Sequence, residues 1–394
     1  MLAVGRSLSR RGIPFVVVGV PLSSMVGASR YIRPHIVGPA PSPKTEPEAY
    51  VEFLLDVVHR HDVPLVLPLT DRTLLACDRN REEIEAEARL AAPPSPAIRN
   101  VLDKRVNLET ARRLGIPCPA QFELERLEQV PGLIDQLGFP MVLKDPGPSV
   151  DGQRPPFDFT WLVARDAHEL GRYLAQHCSC GAFPLFQRLV TGTVRNVCCF
   201  AVQGDTVAIH EYRDIRRLEG LSVFREVTPV SPDLRRHAES MLRELRWEGV
   251  AHLEFFVRES DGDVRYMETN GRFWASSEGP IAAGWDFPYW THRYFAHGER
   301  PQPPPPSLGI GRRSLWHYGD LAALFRFFLD EEESTGSGRS RMRAVTDYLT
   351  GFKPGIHADV FRLDDPLPEL IEHWQSGRMA ATSVGRRLLR RRLW

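Results

Sequence analysis

Lysine is nearly missing from this 394-residue chain. Lys44, Lys104, Lys144 and Lys353 are four of fifty basic residues, and the other forty-six are arginine. Asparagine is almost as scarce, at Asn80, Asn100, Asn107, Asn196 and Asn270. A GC-rich genome accounts for the skew. Arginine was nonetheless available wherever lysine was used, and the two differ physically: a compact point charge on a flexible stem against a planar fork. Net charge is missing too, with 50 Lys and Arg against 50 Asp and Glu. A neutral chain lacks the basic excess of a general nucleic-acid binder. No apolar run reaches the roughly eighteen residues of a transmembrane helix, so no stable membrane insertion is expected. Phe15–Val20 is too short for a signal peptide and runs into Pro21. Cys77, Cys118, Cys178, Cys180, Cys198 and Cys199 show no paired C-x-x-C spacing. That argues against zinc and for free, buried thiols in a reducing cytoplasm.

At roughly 150 residues per domain the length suggests two or three domains. Residues 1–100 read as an α/β unit. Met1–Arg11 is helical, Phe15–Gly19 a buried strand, Tyr50–His61 a helix, and Val63–Leu69 a strand ended by Thr70 and Asp71. Strands alternating with helices imply a parallel sheet. Such units begin with a strand and this one begins with a helix, which implies a missing first strand, through a misplaced start or a divergent domain edge. Ala92–Pro96 is a proline-rich break. Asp103 caps a helix carrying Leu108, Ala111 and Leu114, and Gly115-Ile116-Pro117 stops it. Phe139–Leu143 is a strand leading into Lys144, and residues 145–156 read as a loop. Ala164–His177 is helical, Phe183–Val190 and Val194–Val202 are strands, and Ser231 caps a helix with Pro232 in its first turn. Arg300–Pro306 marks a boundary, Glu331–Arg341 a polar excursion, and the chain ends in a basic tail over Arg386–Trp394.

Chemistry concentrates in Val250–Val257 and Val264–Asn270, joined by the turn signal Glu259-Ser260-Asp261-Gly262-Asp263. Side chains alternate along a strand, so Glu268 and Asn270 share a face. A hairpin centred on Asp261 sets Glu254 opposite Glu268 on that face. Like charges facing each other across a ladder are unfavourable. A hard divalent cation turns that penalty into a binding site, and these oxygen donors suit Mg2+. Arg272 adds a planar cation beside the acids. Lys104 opens a helix and Lys144 ends an apolar strand, and each can reach a phosphate oxygen as a point charge.

Six segments stand in a telling order: Leu102-Asp103-Lys104; Gly115-Ile116-Pro117-Cys118-Pro119; Phe139-Pro140-Met141-Val142-Leu143-Lys144; Gln187-Arg188-Leu189-Val190-Thr191-Gly192; Gly249-Val250-Ala251-His252-Leu253-Glu254-Phe255; and Met267-Glu268-Thr269-Asn270-Gly271-Arg272-Phe273-Trp274. Together they resemble the ATP-grasp superfamily, in particular its carboxylate–amine ligases of the carbamoyl-phosphate-synthase-like and D-alanine–D-alanine-ligase-like type, over about residues 1–300. The resemblance implies an α/β (α+β) fold in three parts: a Rossmann-like N-terminal domain over 1–100, then an ATP-grasp domain over 101–300 with a small lid at about 118–186 and a larger antiparallel-sheet part. Residues 301–394 would be a C-terminal extension with a Pro-rich linker. It implies ATP and one or two Mg2+ ions, with Mn2+ able to serve the same donors. Lys104 and Lys144 would hold phosphates, Gln187, Arg188, Leu189 and Val190 the adenine, and Glu254, Glu268 and Asn270 the metal. Arg272 would sit near the transferred phosphate. An acidic residue that commonly follows the hinge glycine is replaced here by Thr193, Val194 and Arg195.

The reaction so implied joins a small-molecule carboxylate to an amine through an acyl phosphate, in the cytoplasm, with a homodimer as a common assembly in such families. A phosphotransferase or carboxylase would share every motif named, and a non-catalytic nucleotide-binding module would need the metal-site residues less. Arg213, Arg216, Arg217 and Arg225 surround Gly220-Leu221-Ser222, and a fork among them suits a substrate carboxylate. Arg213 and Arg225 are the two chosen for that role.

Overall fold

Alternation of apolar and polar residues builds long strands in the second half of the chain. In the computed structural model, which describes residues 1–147, 157, 159–178, 182–329 and 341–375, seven strands form one sheet. Their order across it is Asp263–Asn270, Gly249–Arg258, Thr193–Val202, Asp205–Leu218, Leu221–Thr228, Arg313–Leu315 and Ile356–Ala358. All neighbours are antiparallel except the last pair. The strands Asp205–Leu218 and Leu221–Thr228 were not anticipated, because their arginines obscure the period-two pattern.

Both faces of the sheet are covered. Val197, Cys199, Ala201, Leu253 and Phe255 pack on one face against the helices Lys104–Arg113 and Pro232–Glu244, with Trp247 wholly buried among them. Trp247 satisfies its indole N–H on the Val250 carbonyl at 3.0 Å, so the burial leaves no orphaned donor. Leu234, Ala238, Met241 and Leu242 are the buried stripe of the second helix. Ser231 stands at its N-cap but makes no side-chain cap; its own N–H donates to Glu211 instead. Cys198, Phe200 and Tyr212 face the other way and pack on the helices Leu2–Arg10 and Phe287–His297. Glu254, Glu268 and Asn270 lie on this second face.

A four-stranded antiparallel sheet stands apart, in the order Gln121–Glu123, Leu185–Arg188, Met141–Lys144 and Trp161–Ala164. The helices Val130–Leu137 and Ala167–His177 pack on it through Leu133, Leu137, Leu170 and Leu174. The N-terminal part pairs its strands only in twos, Val17–Val18 with Ile36–Val37 and Leu65–Val66 with Arg89–Leu90, both parallel. These strands are shorter than the apolar runs around them. Pro64 and Pro68 lack the N–H a longer ladder would need. Asp365 ties the far end of the chain back to the first helix. It accepts from Arg6 Nε and Nη2, from Ser29 Oγ and from the Arg30 N–H. Among the described residues no helix is long and apolar enough to cross a membrane. Five described cysteines are free thiols, Cys198 and Cys199 wholly buried. Cys180, most of the 145–156 loop, the Glu331–Arg341 excursion apart from Arg341, and the basic tail lie outside the described residues.

Candidate active site

The hairpin register places Glu254 directly opposite Glu268 and His252 opposite Asn270. The Asn270 amide nitrogen reaches Glu268 Oε1 at 3.2 Å and Glu254 Oε1 at 3.4 Å. Two lysines approach from outside the sheet. Lys104 Nζ is 3.9 Å from Glu268 Oε2 and donates to the Asp145 carbonyl at 3.3 Å. Lys144 ends the small-sheet strand, where burial and the charge of Lys104 lower its ammonium pKa while Glu268 and Glu254 pull it back up. Burial and the facing Glu268 push the Glu254 carboxyl well above the ordinary carboxylate range. Burial acts on Glu268 in the same sense, but Lys104, Lys144, the Asn270 amide and Arg272 outweigh it and hold that carboxyl low. Burial and mutual repulsion thus fall mainly on Glu254, the member of the pair that protonates more readily.

His252 was quoted within a motif but given no role, and it is part of this site. Burial, with Arg272 nearby, drops its pKa to about 3, so the ring is neutral. Asn196 donates to Asp214 Oδ1 at 3.0 Å, which leaves its amide oxygen to face His252 Nε2 at 3.0 Å. His252 must then carry its proton on Nε2 and present bare Nδ1 to the Asn270 amide nitrogen, 3.4 Å away. Trp274 stacks on the ring at 5.0 Å. The signal in the sequence was a histidine two residues before Glu254, on the same face.

Arg272 is anchored by Asp71 through two hydrogen bonds of 3.1 and 3.2 Å, which binds the N-terminal part to the site. Gln187 is buried opposite Val142 in the small sheet, and Arg188 caps the carbonyls of Leu137 and Gln136. Leu189 and Val190 follow the end of that strand, with the Leu189 N–H on the Pro140 carbonyl. The structure thus gathers Lys104, Lys144, Glu254, Glu268, Asn270 and Arg272 around one point, and sets Gln187 to Val190 on the neighbouring small sheet.

Two expected residues are elsewhere. Arg213 points to the opposite face of the large sheet, where Glu226 takes its fork. Arg225 is on the right face but wholly buried, bonded to Asp359 at 2.7 Å and to Ser222. Neither can meet a substrate as placed. The arginine that does reach the carboxylates is Arg217, whose Nη2 is 3.6 Å from Glu254 Oε2. Two register shifts between Asp214 and Arg217 reset the alternation and turn it inward, which a strict period of two could not foresee.

Gly147 closes the join between the small sheet and the Lys104 helix. The Lys104 N–H donates to the Pro146 carbonyl at 2.8 Å, and a Cβ on Gly147 would lie 2.1 Å from the Leu102 carbonyl oxygen at φ +108. Gly147→Ala should cost about 1–3 kcal/mol in a urea melt, from strain and clash together. A melt equal to wild type would show that the join is loose.

No family model matches the chain, and no curated protein does. Solved structures do. The biotin carboxylase domain of Hydrogenobacter thermophilus 2-oxoglutarate carboxylase, in complex with Mg-ADP, ADP and bicarbonate, superposes with a TM-score of 0.61 at 17% identity, over 79% of this chain and 71% of that one. The chain has the ATP-grasp fold. Biotin carboxylase from Campylobacter jejuni matches equally well, with a TM-score of 0.61 at 15% identity over 79% and 71%. An N5-carboxyaminoimidazole ribonucleotide synthetase bound to ADP matches at 0.58 and 16%, over 79% and 77%. The large sheet and the smaller four-stranded sheet are thus the two sheets of an ATP-grasp architecture.

Proposed function

We propose that the chain is an ATP- and Mg2+-dependent ligase that joins a small-molecule carboxylate to an amine. The observation that carries this is the cross-strand pair Glu254 and Glu268 with Asn270 between them and Lys104 and Lys144 at their edge. The pair fits a hard cation: two carboxylates are forced together in a half-buried place, and their repulsion raises the Glu254 pKa. Among the described residues no group of three His, Cys, Asp or Glu side chains is set to hold a metal. Two carboxylates and an amide oxygen suit Mg2+, which keeps water and phosphate in its remaining positions. Turning the Asn270 amide over would bring its oxygen to face the same centre and set it against His252 Nδ1, which must then carry the ring proton. Bound Mg2+ would supply charge neutralisation and a template for phosphate oxygens.

In this reading residues 1–100 form the N-terminal domain, the sheet within about 118–186 is the lid, and 301–394 is an extension anchored through Asp365. The backbone of Gln187 to Val190 lies against adenine, and Lys104 and Lys144 hold phosphate oxygens. The γ-phosphorus leaves the ADP oxygen and bonds to a carboxylate oxygen of the substrate, giving an acyl phosphate. The amine nitrogen then attacks the acyl carbon, phosphate departs with the bonding pair, and the amine loses its proton to solvent. The chain's part is positioning and electrostatics. Arg272, held still by Asp71 and the Phe273 carbonyl, stabilises charge on the tetrahedral centre through its field rather than by a free fork. The lid keeps water from the acyl phosphate.

The test is ADP release from Mg-ATP across carboxylates and amines, beginning with amino acids in pairs. The ligase needs both partners. ADP formed with a carboxylate alone, with a stable phosphorylated product, would make the protein a kinase. A carboxylase is the second reading, favoured by the bicarbonate in the 2-oxoglutarate carboxylase complex; bicarbonate would then drive ADP release and appear in the product. A protein that neither binds Mg-ADP nor releases ADP sinks the nucleotide reading. Lys144→Met should weaken Mg-ADP about ten- to a hundredfold by calorimetry, since a charged hydrogen bond contributes about 1.5–3 kcal/mol. Unchanged affinity would remove Lys144 from the phosphate site.

A further inference from the structure

The C-terminal extension carries an apolar surface that neither the core nor the candidate active site uses. Of the eighteen large apolar side chains exposed among the described residues, nine lie at or beyond Phe325. The clearest case is the helix over 367–375, whose two sides are inverted. Its polar side turns inward. Glu369 Oε1 accepts from His317 Nδ1 at 3.1 Å and from His373 Nε2 at 3.2 Å. Glu372 Oε1 accepts from the Trp316 indole at 2.9 Å, and the Gln375 amide donates to the Ser23 carbonyl at 2.7 Å. Its leucines turn outward. Leu367 and Leu370, three apart and so on one side, are 54% and 60% exposed, and Leu363 in the preceding turn is 90% exposed. A surface helix ordinarily buries its leucines and shows its acids to water. Here the acids are the anchors, and bonds to the segments around Ser23 and Trp316 hold the leucines out. An apolar patch fixed in that way marks an interaction surface.

The residues that follow supply a second observation. Residues 376–394 hold six arginines, Arg378, Arg386, Arg387, Arg390, Arg391 and Arg392, and no Asp or Glu, with Leu388, Leu389, Leu393 and Trp394 among them. In a chain of zero net charge this is a strong local excess. We propose that the extension docks the protein on the surface of an anionic lipid bilayer. Leu363, Leu367 and Leu370 enter the boundary between headgroups and acyl chains, and the arginines meet lipid phosphates. Apolar contact and positive charge are each weak alone, and together they hold a protein on an anionic membrane. A nucleic acid would meet the arginines and offer the leucines nothing. A second copy would cover the leucines and bring its own arginines against the first set. The contact is peripheral, so it needs no helix long enough to cross the bilayer. It is independent of the ligase reading.

The test is flotation of the full chain with vesicles of phosphatidylcholine and phosphatidylglycerol in equal parts, and with vesicles of phosphatidylcholine alone, at about 0.1 M salt. Wild type should bind the anionic vesicles, leave the neutral ones, and come off at about 0.5 M salt. The double variant Leu367→Glu, Leu370→Glu should weaken binding about tenfold or more. The triple variant Arg390→Ser, Arg391→Ser, Arg392→Ser should weaken it about a hundredfold. Both should keep the wild-type melt and Mg-ADP affinity, so a failure here is told apart from a failure of the nucleotide reading. Wild type that ignores anionic vesicles overturns the inference. Equal binding to neutral and anionic vesicles, or full binding by either variant, overturns it as well. A wild-type dimer in sedimentation velocity that the leucine variant dissociates, with no vesicle binding by either, gives the face to a second copy and overturns it too. If the leucine variant melts below wild type, Leu363→Glu, at the 90% exposed position, is read by the same criteria.

Discussion

Glu268→Gln should lower ATP-dependent turnover about a hundred- to a thousandfold, on the scale of losing one preorganised electrostatic group, and should flatten the pH dependence of stability. Gln keeps the shape and one oxygen but removes the charge that makes the pair a cation site. The stability outcome follows from the same charges. Wild-type Glu254 is a buried acid whose pKa is raised on folding, so the folded state binds more protons than the unfolded state above the ordinary value of 4.5. Stability of the cation-free protein therefore falls as pH climbs from there through the raised pKa. Part of that slope is the repulsion from Glu268 and disappears in Glu268→Gln. ADP formation at saturating Mg-ATP and thermal melts across pH 5 to 8 with about 1 mM chelator check both halves. An unchanged rate would remove the carboxylate pair from the reaction, and an unchanged pH slope would show that burial alone raises Glu254.

Much of this site could be read in the sequence because a hairpin is a local object. A turn at Asp261 and a period of two are enough to bring Glu254 opposite Glu268, and the observed register agrees. Lysine scarcity helped, since Lys104 and Lys144 stood out against arginine and both arrive at the carboxylates. The arginines had no such contrast. Which of Arg213, Arg216, Arg217 and Arg225 faces the site depends on two register shifts after Asp214, and nothing local announces a bulge there. The fate of Arg225 is set by Asp359, which is 134 residues away. His252 depends on Asn196, which is 56 residues away. Pairings at such distances are consequences of topology. The same limit applies in the N-terminal part, where apolar runs suggested full strands and the ladders are only pairs, the second of them flanked by Pro64 and Pro68.

Arg225→Met should destabilise the protein by about 3–5 kcal/mol, the usual result of removing one partner from a buried ion pair. Arg225 and Asp359 side chains are 2% and 8% exposed. Burial raises the Asp359 pKa, and Arg225 is the main force bringing it back. Without the guanidinium the carboxyl must either stay charged in a dry place or take up a proton. Its folded pKa then rises further, so the loss should be smaller at pH 5 than at pH 8, because a raised acid pKa makes stability fall as pH rises. The double variant Arg225→Met, Asp359→Leu should recover most of the stability, since an apolar pair of similar volume carries no desolvation cost. Urea melts of the three proteins at both pH values give the comparison, with Mg-ADP calorimetry alongside. A structural Arg225 predicts large melting effects and unchanged nucleotide affinity in whatever fraction folds. A substrate-binding Arg225 predicts the reverse: a modest change in the melt, no rescue by the second substitution, and a raised KM for the carboxylate. The closed geometry around Arg225, with Ser222, the Ser276 carbonyl and Asp359 on its nitrogens, decides for the first. A guanidinium whose nitrogens are already engaged in the interior has no fork left for a ligand.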